Sequence, residues 1–368
     1  MLLDWIGYAS IEEQGLAWPP VLPREDFPMS DVRYRRLGRH GLQVSEITLG
    51  TMMFGGQTDD ATAKRIVDDA LEQGINAIDT ANNYNDGASE IAVGKLIAGQ
   101  RSRWVLSSKF VNPNPGVQGP NGRGASRHSV IESVEGSLRR LQTDYLDLYY
   151  VHREDPFTPV EETVRALADL IRAGKIRGYG LSNHSSWKLA EFCRVADLLG
   201  VERPTVSQPL YNLANRQIEA EHLPAAEHYG IGVVSYSPLA RGVLTAKYDP
   251  GAEPGVDTRA GRSDPRLQQT EWRPESLNLA QRIKDHAQAR GITSGQFALA
   301  WVLNNQLISS AIAGPRTEQQ WRDYVPALQY RFTAEDEAFI DALVAAGHSS
   351  TPGYTDPSYP VTGRRVQF

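Results

Sequence analysis

The chain has 368 residues, 40% of them hydrophobic and 22% charged, with a formal net charge of −6 at pH 7. This composition is typical of a globular protein with a large core. Because the sequence has no lysine- or arginine-rich block, nucleic acid is disfavoured as a partner. Because Cys193 is the one cysteine, an intrachain disulfide is excluded, and we interpret this thiol as a small buried apolar group. No apolar run approaches the ~20 residues that span a bilayer, so we expect a cytoplasmic protein with no membrane partner.

The two ends of the chain differ from its centre. Residues 1–28 lack the basic start and continuous apolar centre of a signal peptide, and regular patterning begins only after Met29. We therefore interpret residues 1–32 as an N-terminal arm, either a loose extension or a mis-assigned start. Residues 347–368 are rich in proline, glycine and serine, and we expect them to be irregular. Residues 33–346 show no internal boundary and are predicted to form one domain.

The domain begins with a predicted hairpin and continues with helices of clear apolar periodicity. Apolar segments on both sides of the turn-like residues 39–41 predict a hairpin over residues 34–44. Ile66, Val67 and Ala70 share one helical face, and Gly74 follows them as a stop signal. The same kind of pattern predicts helices over residues 61–73, 127–141, 160–173, 294–304 and 334–346.

Short apolar segments alternate with the helices and predict strands. They lie near residues 47–50, 77–79, 104–109, 145–152, 176–181, 204–208, 231–236 and 308–313. Eight alternating strand and helix units predict a (β/α)8 TIM barrel, with a doubly wound parallel sheet as the alternative. Two long loops, 111–126 and 240–274, interrupt the alternation, and loops of that length in a compact domain are usually functional.

Polar residues stand at or just beyond the ends of successive predicted strands, about one strand and helix unit apart. They are Asp79, Lys109, His152, Asn183, Gln208 and Ser237. In a barrel of parallel strands the carboxyl ends meet at one mouth, and that mouth carries the chemistry. We therefore expect these side chains to converge.

A tyrosine, Tyr84, follows Asp79 by five residues and adds a phenol to this set. Taken singly, a tyrosine, lysine or aspartate after a strand is most often a solvated surface residue. Taken together with Lys109 and His152 at one mouth, they indicate a site that protonates a carbonyl oxygen. Because a free phenol has a pKa near 10, we expect the Lys109 ammonium to lower the pKa of Tyr84. Asp79 would position the ammonium, and His152 would donate a hydrogen bond to the substrate oxygen.

Eight segments of the chain resemble the aldo-keto reductases in order and spacing, from about residue 33 to 345. They are LGTMMFGG (49–56), AIDTANNY (77–84), SSKF (107–110), LDLYYVHR (146–153), GLSNH (180–184), SQPLYN (207–212), SYSPLARGVLTAKY (235–248) and AGPRTEQQ (313–320). The branch that looks most similar contains bacterial general reductases and the β subunits of voltage-gated potassium channels. The resemblance implies a nicotinamide cofactor, a small-molecule carbonyl substrate, and a catalytic tetrad of Asp79, Tyr84, Lys109 and His152.

The resemblance also implies where the cofactor binds, since no glycine-rich dinucleotide fingerprint opens a helix after a strand. Ser182, Asn183 and Gln208 would hold the carboxamide, and Tyr236 would stack on the nicotinamide. The expected cofactor-binding residues are Gly50, Thr51, Met52, Asp79, Ser182, Asn183, Gln208, Tyr236, Ser237, Pro238, Leu239, Arg241, Gly242, Lys247, Arg259, Gly314, Arg316, Gln320 and Asp323.

Arg316 bears on the choice of cofactor. A guanidinium suits the 2′-phosphate that NADPH has and NADH lacks, so we expect NADPH. The alternative interpretation of Arg316 is a surface charge at the start of a helix. The chain departs from the family at Asp323-Tyr324, where a Glu-Asn pair is usual, and Tyr324 cannot reproduce the asparagine contact with adenine.

Three functions remain as hypotheses: an NADPH-dependent carbonyl reductase, a cofactor-binding regulatory subunit that senses redox state, and an NADP-dependent dehydrogenase of a sugar or polycyclic alcohol. In the potassium-channel branch the histidine of the tetrad is commonly replaced, so the presence of His152 favours an enzyme. No metal site is expected, because His222 and His228 do not share a helical face. Trp187 and Trp301 are expected to be packing residues, and whether the protein is a homo-oligomer stays open.

Overall fold

Eight parallel strands close into a barrel in the computed structural model, which describes residues 32–361. The (β/α)8 prediction is confirmed and the doubly wound alternative is wrong, because the last strand pairs with both the preceding strand and the first strand of the ring. Our interpretation of residues 1–31, and that of residues 362–368, falls outside the described residues. A hairpin of β1 (Tyr34–Arg36) and β2 (Gln43–Ser45) precedes the barrel strands β3 (Ile47–Gly50), β4 (Ala77–Asp79), β5 (Val105–Phe110), β6 (Leu148–Val151), β7 (Tyr179–Ser182), β8 (Val206–Gln208), β9 (Gly232–Ser235) and β10 (Ser310–Ala313).

Helices alternate with the strands. They are α1 (Asp60–Glu72), α2 (Ala88–Ile97), α3 (Arg127–Leu141), α4 (Val160–Arg172), α5 (Ser186–Leu199), α6 (His222–Tyr229), α7 (Pro265–Thr270), α8 (Pro274–Ala289), α9 (Ser294–Asn304), α10 (Glu318–Tyr324) and α11 (Ala334–Leu343). The five helices predicted with bounds are therefore confirmed. The long loop 240–274 is partly regular, since it contains α7 and a 3-10 turn over Ala240–Thr245. No helix in the part of the chain that the structure describes is long and apolar enough to cross a membrane.

Helix α1 shows how the sequence sets the bounds of these elements. The Asp59 side chain accepts a hydrogen bond from the backbone N–H of Thr62, which caps the first turn. Ile66 and Val67 are buried on the face that the periodicity predicts. Gly74 then takes a φ of 88°, a left-handed conformation that ends the helix and turns the chain toward β4.

The inner face of the barrel changes from apolar to polar along the strands. Successive side chains alternate between the two faces of a strand, so Ala77 shares a face with Asp79, and Val206 with Gln208. The apolar members of this face form one buried cluster, which contains Ala77, Leu148, Tyr150, Val206 and Val234. Polar side chains follow two residues later, at the carboxyl ends. Apolar side chains therefore fill the amino end of the barrel, and polar side chains line its carboxyl end.

The hairpin closes the apolar end. Leu37 and Val44 belong to the same buried cluster as the inner strand residues, and both are almost fully buried. The backbone of Arg39 donates a hydrogen bond to the carbonyl oxygen of Gly230 at 2.8 Å. Gly38 lies against the chain just before β9 with a φ of 57°. Because the hairpin plugs this end, solvent and ligands reach the inner polar residues from the carboxyl side.

Three predictions on buried residues have mixed outcomes. Cys193 is fully buried, as expected, and burial raises the pKa of its thiol to about 11. Trp301 is also buried, with 3% of its surface exposed. The prediction for Trp187 is wrong: its side chain is 62% exposed at the first turn of α5, where Lys188 lies 4.6 Å from the ring.

We predict that Gly38→Ala lowers the free energy of unfolding by about 2–5 kcal/mol. A Cβ at this position would lie 2.2 Å from the Gly230 carbonyl oxygen, and the positive φ adds backbone strain. Urea unfolding followed by circular dichroism measures the loss. Gly41→Ala in the same hairpin is the control, because no atom lies within 4 Å of an added Cβ there. Equal stability of the two variants would contradict the assigned role of the hairpin.

Candidate active site

The structure places the four predicted catalytic side chains at the carboxyl ends of β4, β5 and β6. Asp79 is the last residue of β4, Lys109 is the fifth residue of β5, and His152 follows β6 directly. Tyr84 begins a short 3-10 turn after β4. Since all three strands are parallel, their ends share one mouth, and the side chains meet there as the spacing predicts.

The Lys109 ammonium is the centre of this cluster. Its side chain is completely buried, and its Nζ lies 2.5 Å from Asp79 Oδ2, 2.8 Å from the Thr80 carbonyl oxygen and 3.1 Å from the Tyr84 hydroxyl oxygen. Burial disfavours the charged ammonium, but Asp79 and then Tyr84 offset this effect, so the pKa of Lys109 is raised above its ordinary value. The lysine therefore stays charged at neutral pH.

Those three contacts determine which way the phenol proton of Tyr84 points. An ammonium has three donors and no acceptor, so each of its hydrogens is directed to one of the three oxygens. The Tyr84 oxygen is consequently an acceptor toward Lys109, and its own O–H must point elsewhere. Among residues 32–361 the structure shows no acceptor for that O–H, which leaves it free for a ligand.

The Asp79 carboxylate is held on its other side as well. Its Oδ1 accepts hydrogen bonds from Ser107 Oγ at 2.7 Å and from Gln208 Nε2 at 3.1 Å. Ser107 lies two residues before Lys109 on the same face of β5, and this period-two spacing was the signal that could have identified it. With both oxygens engaged, Asp79 is a fixed counter-ion for Lys109.

The expected lowering of the Tyr84 pKa is wrong in its net direction. Burial raises the pKa of Tyr84, the Lys109 ammonium lowers it, and the Asp79 carboxylate raises it again, with the result above the ordinary value. The reason is that the phenolate would lose its hydration in the buried site, a cost that the sequence alone does not reveal. Tyr84 is therefore a protonated phenol at neutral pH and can act as a proton donor.

His152 lies beside Tyr84, with the two ring centroids 6.0 Å apart and the rings nearly perpendicular. Burial, the Lys109 ammonium and Arg153 all lower the pKa of His152 well below its ordinary value. The imidazole is therefore neutral at physiological pH and carries a single N–H. Its Nδ1 lies 2.9 Å from the Nδ2 of Asn112, a residue of the 111–126 loop that the sequence did not single out.

The residues expected to hold a carboxamide lie next to the tetrad but already have protein partners. The Asn183 amide donates to the His152 carbonyl oxygen at 2.9 Å and accepts from the Tyr236 hydroxyl at 2.7 Å. Ser182 Oγ donates to the carbonyl oxygen of Gln208, whose own amide donates to Asp79. Hydrogen bonding thus links Tyr236 to the tetrad through Asn183.

A group of cations lies in the loops after β9 and β10, and we call it the cation cluster: Lys247, Arg259, Arg262 and Arg316. Burial and the three arginines lower the pKa of Lys247, so each arginine disfavours the charge on the lysine. Among residues 32–361 the carboxylate that contacts the cluster is Asp264, 3.8 Å from Arg259. Within the described residues the Arg316 guanidinium has no hydrogen bond or ion pair. Such a surplus of positive charge suits a phosphate-bearing ligand.

The other expected cofactor residues lie at the end of β3, in the loops after β3, β9 and β10, and on α10. Gly50 is the last residue of β3, and Gly314 directly follows the neighbouring strand β10. Gly242 has a φ of 93°, and a Cβ added there would lie 3.0 Å from Lys247 Nζ. The Gln320 side chain already has a protein partner, since its Oε1 accepts a hydrogen bond from the Arg316 backbone N–H at 2.8 Å. The remainder are Thr51, Met52, Ser237, Pro238, Leu239, Arg241 and Asp323, the last of which is exposed on α10.

Two buried histidines lie behind this site. His184 Nδ1 lies 2.8 Å from the Ser182 carbonyl oxygen, and His222 Nε2 lies 2.8 Å from Ser207 Oγ. Burial lowers the pKa of each histidine to about 4. Over residues 32–361, no group of three or more histidine, cysteine, aspartate or glutamate residues is arranged to hold a metal ion.

Comparison with known proteins gives one family. The model of the aldo/keto reductase family matches residues 46–345. A rice (Oryza sativa subsp. japonica) protein named "Probable voltage-gated potassium channel subunit beta" is 36% identical over 330 residues, covering 88% of this chain and 100% of the rice protein. The Bacillus subtilis (strain 168) protein named "Uncharacterized oxidoreductase YrpG" is 37% identical over 330 residues, covering 87% of this chain and 98% of its own length.

We predict that the two buried histidines make the protein less stable as the pH falls from 6.5 to 4. Their folded pKa of about 4 lies below the ordinary value near 6.5, so in this window the unfolded chain binds protons that the folded protein does not. The loss approaches about 3 kcal/mol for each histidine at the low end of the window. Urea unfolding at several pH values measures it.

The variant His222→Gln should make that pH dependence shallower. His228→Gln is the matched control, because His228 lies on the same helix and is exposed. If His222→Gln leaves the pH dependence as steep as in the control, the buried imidazole of His222 is not its source.

Proposed function

The chain belongs to the aldo/keto reductase family, and on that basis we propose that it is an NADPH-dependent oxidoreductase that reduces an aldehyde or ketone reversibly to the alcohol. The observation that carries this proposal is the arrangement at Lys109. All three ammonium hydrogens have acceptors, and the third acceptor is the Tyr84 oxygen, so the phenol proton is directed away from the lysine. A protonated phenol held in this way is a general acid for an oxygen at the mouth.

The residues at the mouth fit a phosphorylated dinucleotide. The cation cluster has more positive charge than the nearby Asp264 balances, and an anion there would relieve the mutual repulsion. Gly242 leaves open the space beside Lys247 that a Cβ would occupy. Within the described residues, Arg316 is the arginine of the cluster whose guanidinium has no hydrogen bond or ion pair, and we assign it to the 2′-phosphate. The other members would hold the pyrophosphate.

The protein's part in the reaction follows from this geometry. NADPH, when bound, supplies the hydride that the carbonyl carbon accepts. Tyr84 gives its proton to the carbonyl oxygen, so that an alcohol forms and the tyrosine is left as a phenolate. Lys109 stabilises that phenolate through the 3.1 Å contact, and Asp79 keeps the lysine in place. His152 donates its N–H to the same substrate oxygen, and Tyr84 regains a proton from water.

The protonation state of Tyr84 determines the pH range in which the carbonyl can be reduced. The pKa of Tyr84 is raised by burial, so the acid form is present throughout neutral and mildly alkaline pH. Reduction therefore needs no prior protonation of Tyr84 at neutral or mildly alkaline pH. Oxidation of an alcohol requires the phenolate as the base, and it becomes faster as the pH rises toward the pKa of Tyr84.

A second candidate function is a cofactor-binding regulatory subunit. The rice relative is named as a potassium channel β subunit, which supports it. His152, as a neutral donor beside Tyr84, supports the enzyme instead. The two are separated by binding and turnover measured on the same sample: tight NADPH binding with no oxidation of NADPH across a panel of aldehydes, including 4-nitrobenzaldehyde and methylglyoxal, favours the subunit. Oxidation of sugar or polycyclic alcohols with NADP⁺, with no aldehyde reduction, favours a dehydrogenase.

We predict that Tyr84→Phe lowers kcat by about 10²–10⁴-fold, because the variant has no proton to donate. NADPH affinity should change little, since the hydrogen bond that the described residues give the Tyr84 hydroxyl is to Lys109. NADPH absorbance during aldehyde reduction gives kcat, and NADPH fluorescence titration gives Kd. Tyr179→Phe is the control, because it removes a hydroxyl that donates to the Glu202 carbonyl oxygen. Collapse of NADPH binding in Tyr84→Phe would make Tyr84 a structural residue.

We predict that Arg316→Ala weakens NADPH binding by about 10–100-fold, the value of one or two lost charge-assisted hydrogen bonds, and barely changes NADH binding. Fluorescence titration with each cofactor measures both. Arg322→Ala is the matched control, since Arg322 lies on the neighbouring helix α10 in an exposed pair with Glu318. An equal loss for the two cofactors would refute the assignment of Arg316 to the 2′-phosphate.

A further inference from the structure

We propose that Asn112 is a positioning residue that fixes the tautomer of His152, so that Nε2 carries the hydrogen and is presented to the substrate oxygen. This inference rests on the proposed function, because it concerns how one member of the tetrad becomes a donor. Asn112 lies in the loop after β5, three residues beyond Lys109. Its amide contacts the His152 ring directly.

The contact assigns the hydrogen by elimination. Asn112 Nδ2 lies 2.9 Å from His152 Nδ1. With the amide nitrogen of Asn112 facing the ring, the NH2 group is the donor and Nδ1 is the acceptor in this pair. A neutral imidazole has only one N–H, and with Nδ1 as an acceptor that hydrogen is on Nε2. Within the described part of the chain Nε2 has no hydrogen-bond partner, so it is free to donate.

The backbone of His152 is held independently of its ring. Its N–H donates to the Phe110 carbonyl oxygen at 3.1 Å, and its carbonyl oxygen accepts from Asn183 at 2.9 Å. These contacts fix the main chain between β5 and β7 and leave the ring orientation undetermined. Asn112 supplies the missing constraint, because it is the one hydrogen-bond partner of the ring among residues 32–361.

The neutral charge of Asn112 matters as well as its geometry. The Lys109 ammonium, Arg153 and burial already disfavour an imidazolium at His152. The Asn112 amide also disfavours the imidazolium, because the Nδ1 hydrogen of an imidazolium would point at the hydrogens of the amide NH2 group. A carboxylate in the same place would attract the proton, raise the pKa of His152 and reverse the tautomer.

The direct test is nitrogen-15 NMR of the protein labelled at its histidines, since the ring nitrogen shifts distinguish the two tautomers and the imidazolium. The His152 signals are assigned by their loss in His152→Gln. We expect wild-type His152 to be neutral with the hydrogen on Nε2 across neutral pH. A hydrogen on Nδ1, which would require the Asn112 amide to face the ring with its oxygen, overturns the proposal.

Two variants carry the test to activity. Asn112→Ala should weaken the preference for the Nε2 tautomer and lower kcat by about 10–100-fold, the range seen when a partner that orients a metal-binding histidine is removed, with NADPH Kd within about twofold of wild type. Asn112→Asp should make His152 titrate near neutral pH in the spectra. The profile of kcat against pH should then gain an ionisation that wild type lacks.

Asn114→Ala is the matched control. Asn114 lies in the same loop but its amide contacts Asn82 and Ser133, away from His152. Its substitution loosens the loop and should leave the His152 signals unchanged. If Asn114→Ala and Asn112→Ala lower kcat equally and neither alters the signals, Asn112 supports only the loop and the proposal is overturned.

The spectra also separate this inference from the proposed function. The tautomer of His152 is read without substrate or turnover. If the His152 signals show the Nε2 tautomer in wild type and shift away from it in Asn112→Ala, the positioning role is supported even in a protein that reduces no aldehyde. Conversely, an active reductase whose His152 signals do not respond to Asn112 refutes the positioning role and leaves the proposed function intact.

Discussion

The buried ion pair between Lys109 and Asp79 is the constraint on which the mouth of the barrel depends. Both side chains are almost completely excluded from water, and a buried charge without its partner costs several kcal/mol. Asp79 must therefore stay against the ammonium, and Ser107 and Gln208 hold its second oxygen. With the lysine fixed in this way, its remaining hydrogens can reach only the Thr80 carbonyl and the Tyr84 oxygen. The orientation of the phenol is thus a consequence of the ion pair.

The barrel explains why the pair can be both buried and accessible. Toward the amino end, Tyr150 and Val206 fill the interior and the hairpin residue Leu37 closes it, so packed side chains separate Lys109 from solvent on that side. Burial and the Asp79 carboxylate raise the pKa of Tyr150 well above its ordinary value, so this inner phenol remains neutral beneath the pair. The low polarity of that layer strengthens the attraction between Lys109 and Asp79, while the mouth side stays available to a ligand.

Much of this arrangement can be predicted from sequence, because it rests on periodicity. The alternation of short apolar segments with helices predicts the barrel, and the position of Asp79, Lys109 and His152 at strand ends predicts that they share a mouth. Quantities that depend on burial are different. The raised pKa of Tyr84 reflects lost hydration, which no local pattern encodes.

Contacts between distant residues are equally hidden from sequence. The segment Ser182-Asn183 is recognisable, but the commitment of the Asn183 amide to His152 and Tyr236 depends on how three strands are juxtaposed. Arg262 lies in a loop without regular pattern and becomes notable only beside Lys247. The prediction that Trp187 is a packing residue is wrong, because a position in a helix does not by itself reveal which side of the helix faces water.

The arginines near the mouth fall into two sets once their partners are known. Arg266 binds both oxygens of Asp356, at 3.0 and 2.7 Å, and Arg273 lies 3.7 Å from the Tyr354 ring, so these two hold the C-terminal segment against the barrel. Their charge is balanced or spread over an aromatic face. In the cation cluster the partners are more distant, with Asp264 3.8 Å from Arg259 and the Tyr248 ring 5.2 Å from Lys247. Within the described residues the Arg316 guanidinium has no hydrogen bond or ion pair, and the three arginines lower the pKa of Lys247. The repulsion is a cost to the folded state that an anionic ligand would remove, and a ligand that binds only the folded protein stabilises it by mass action. The excess of positive charge therefore supports the proposal that the cation cluster binds a phosphate-bearing cofactor.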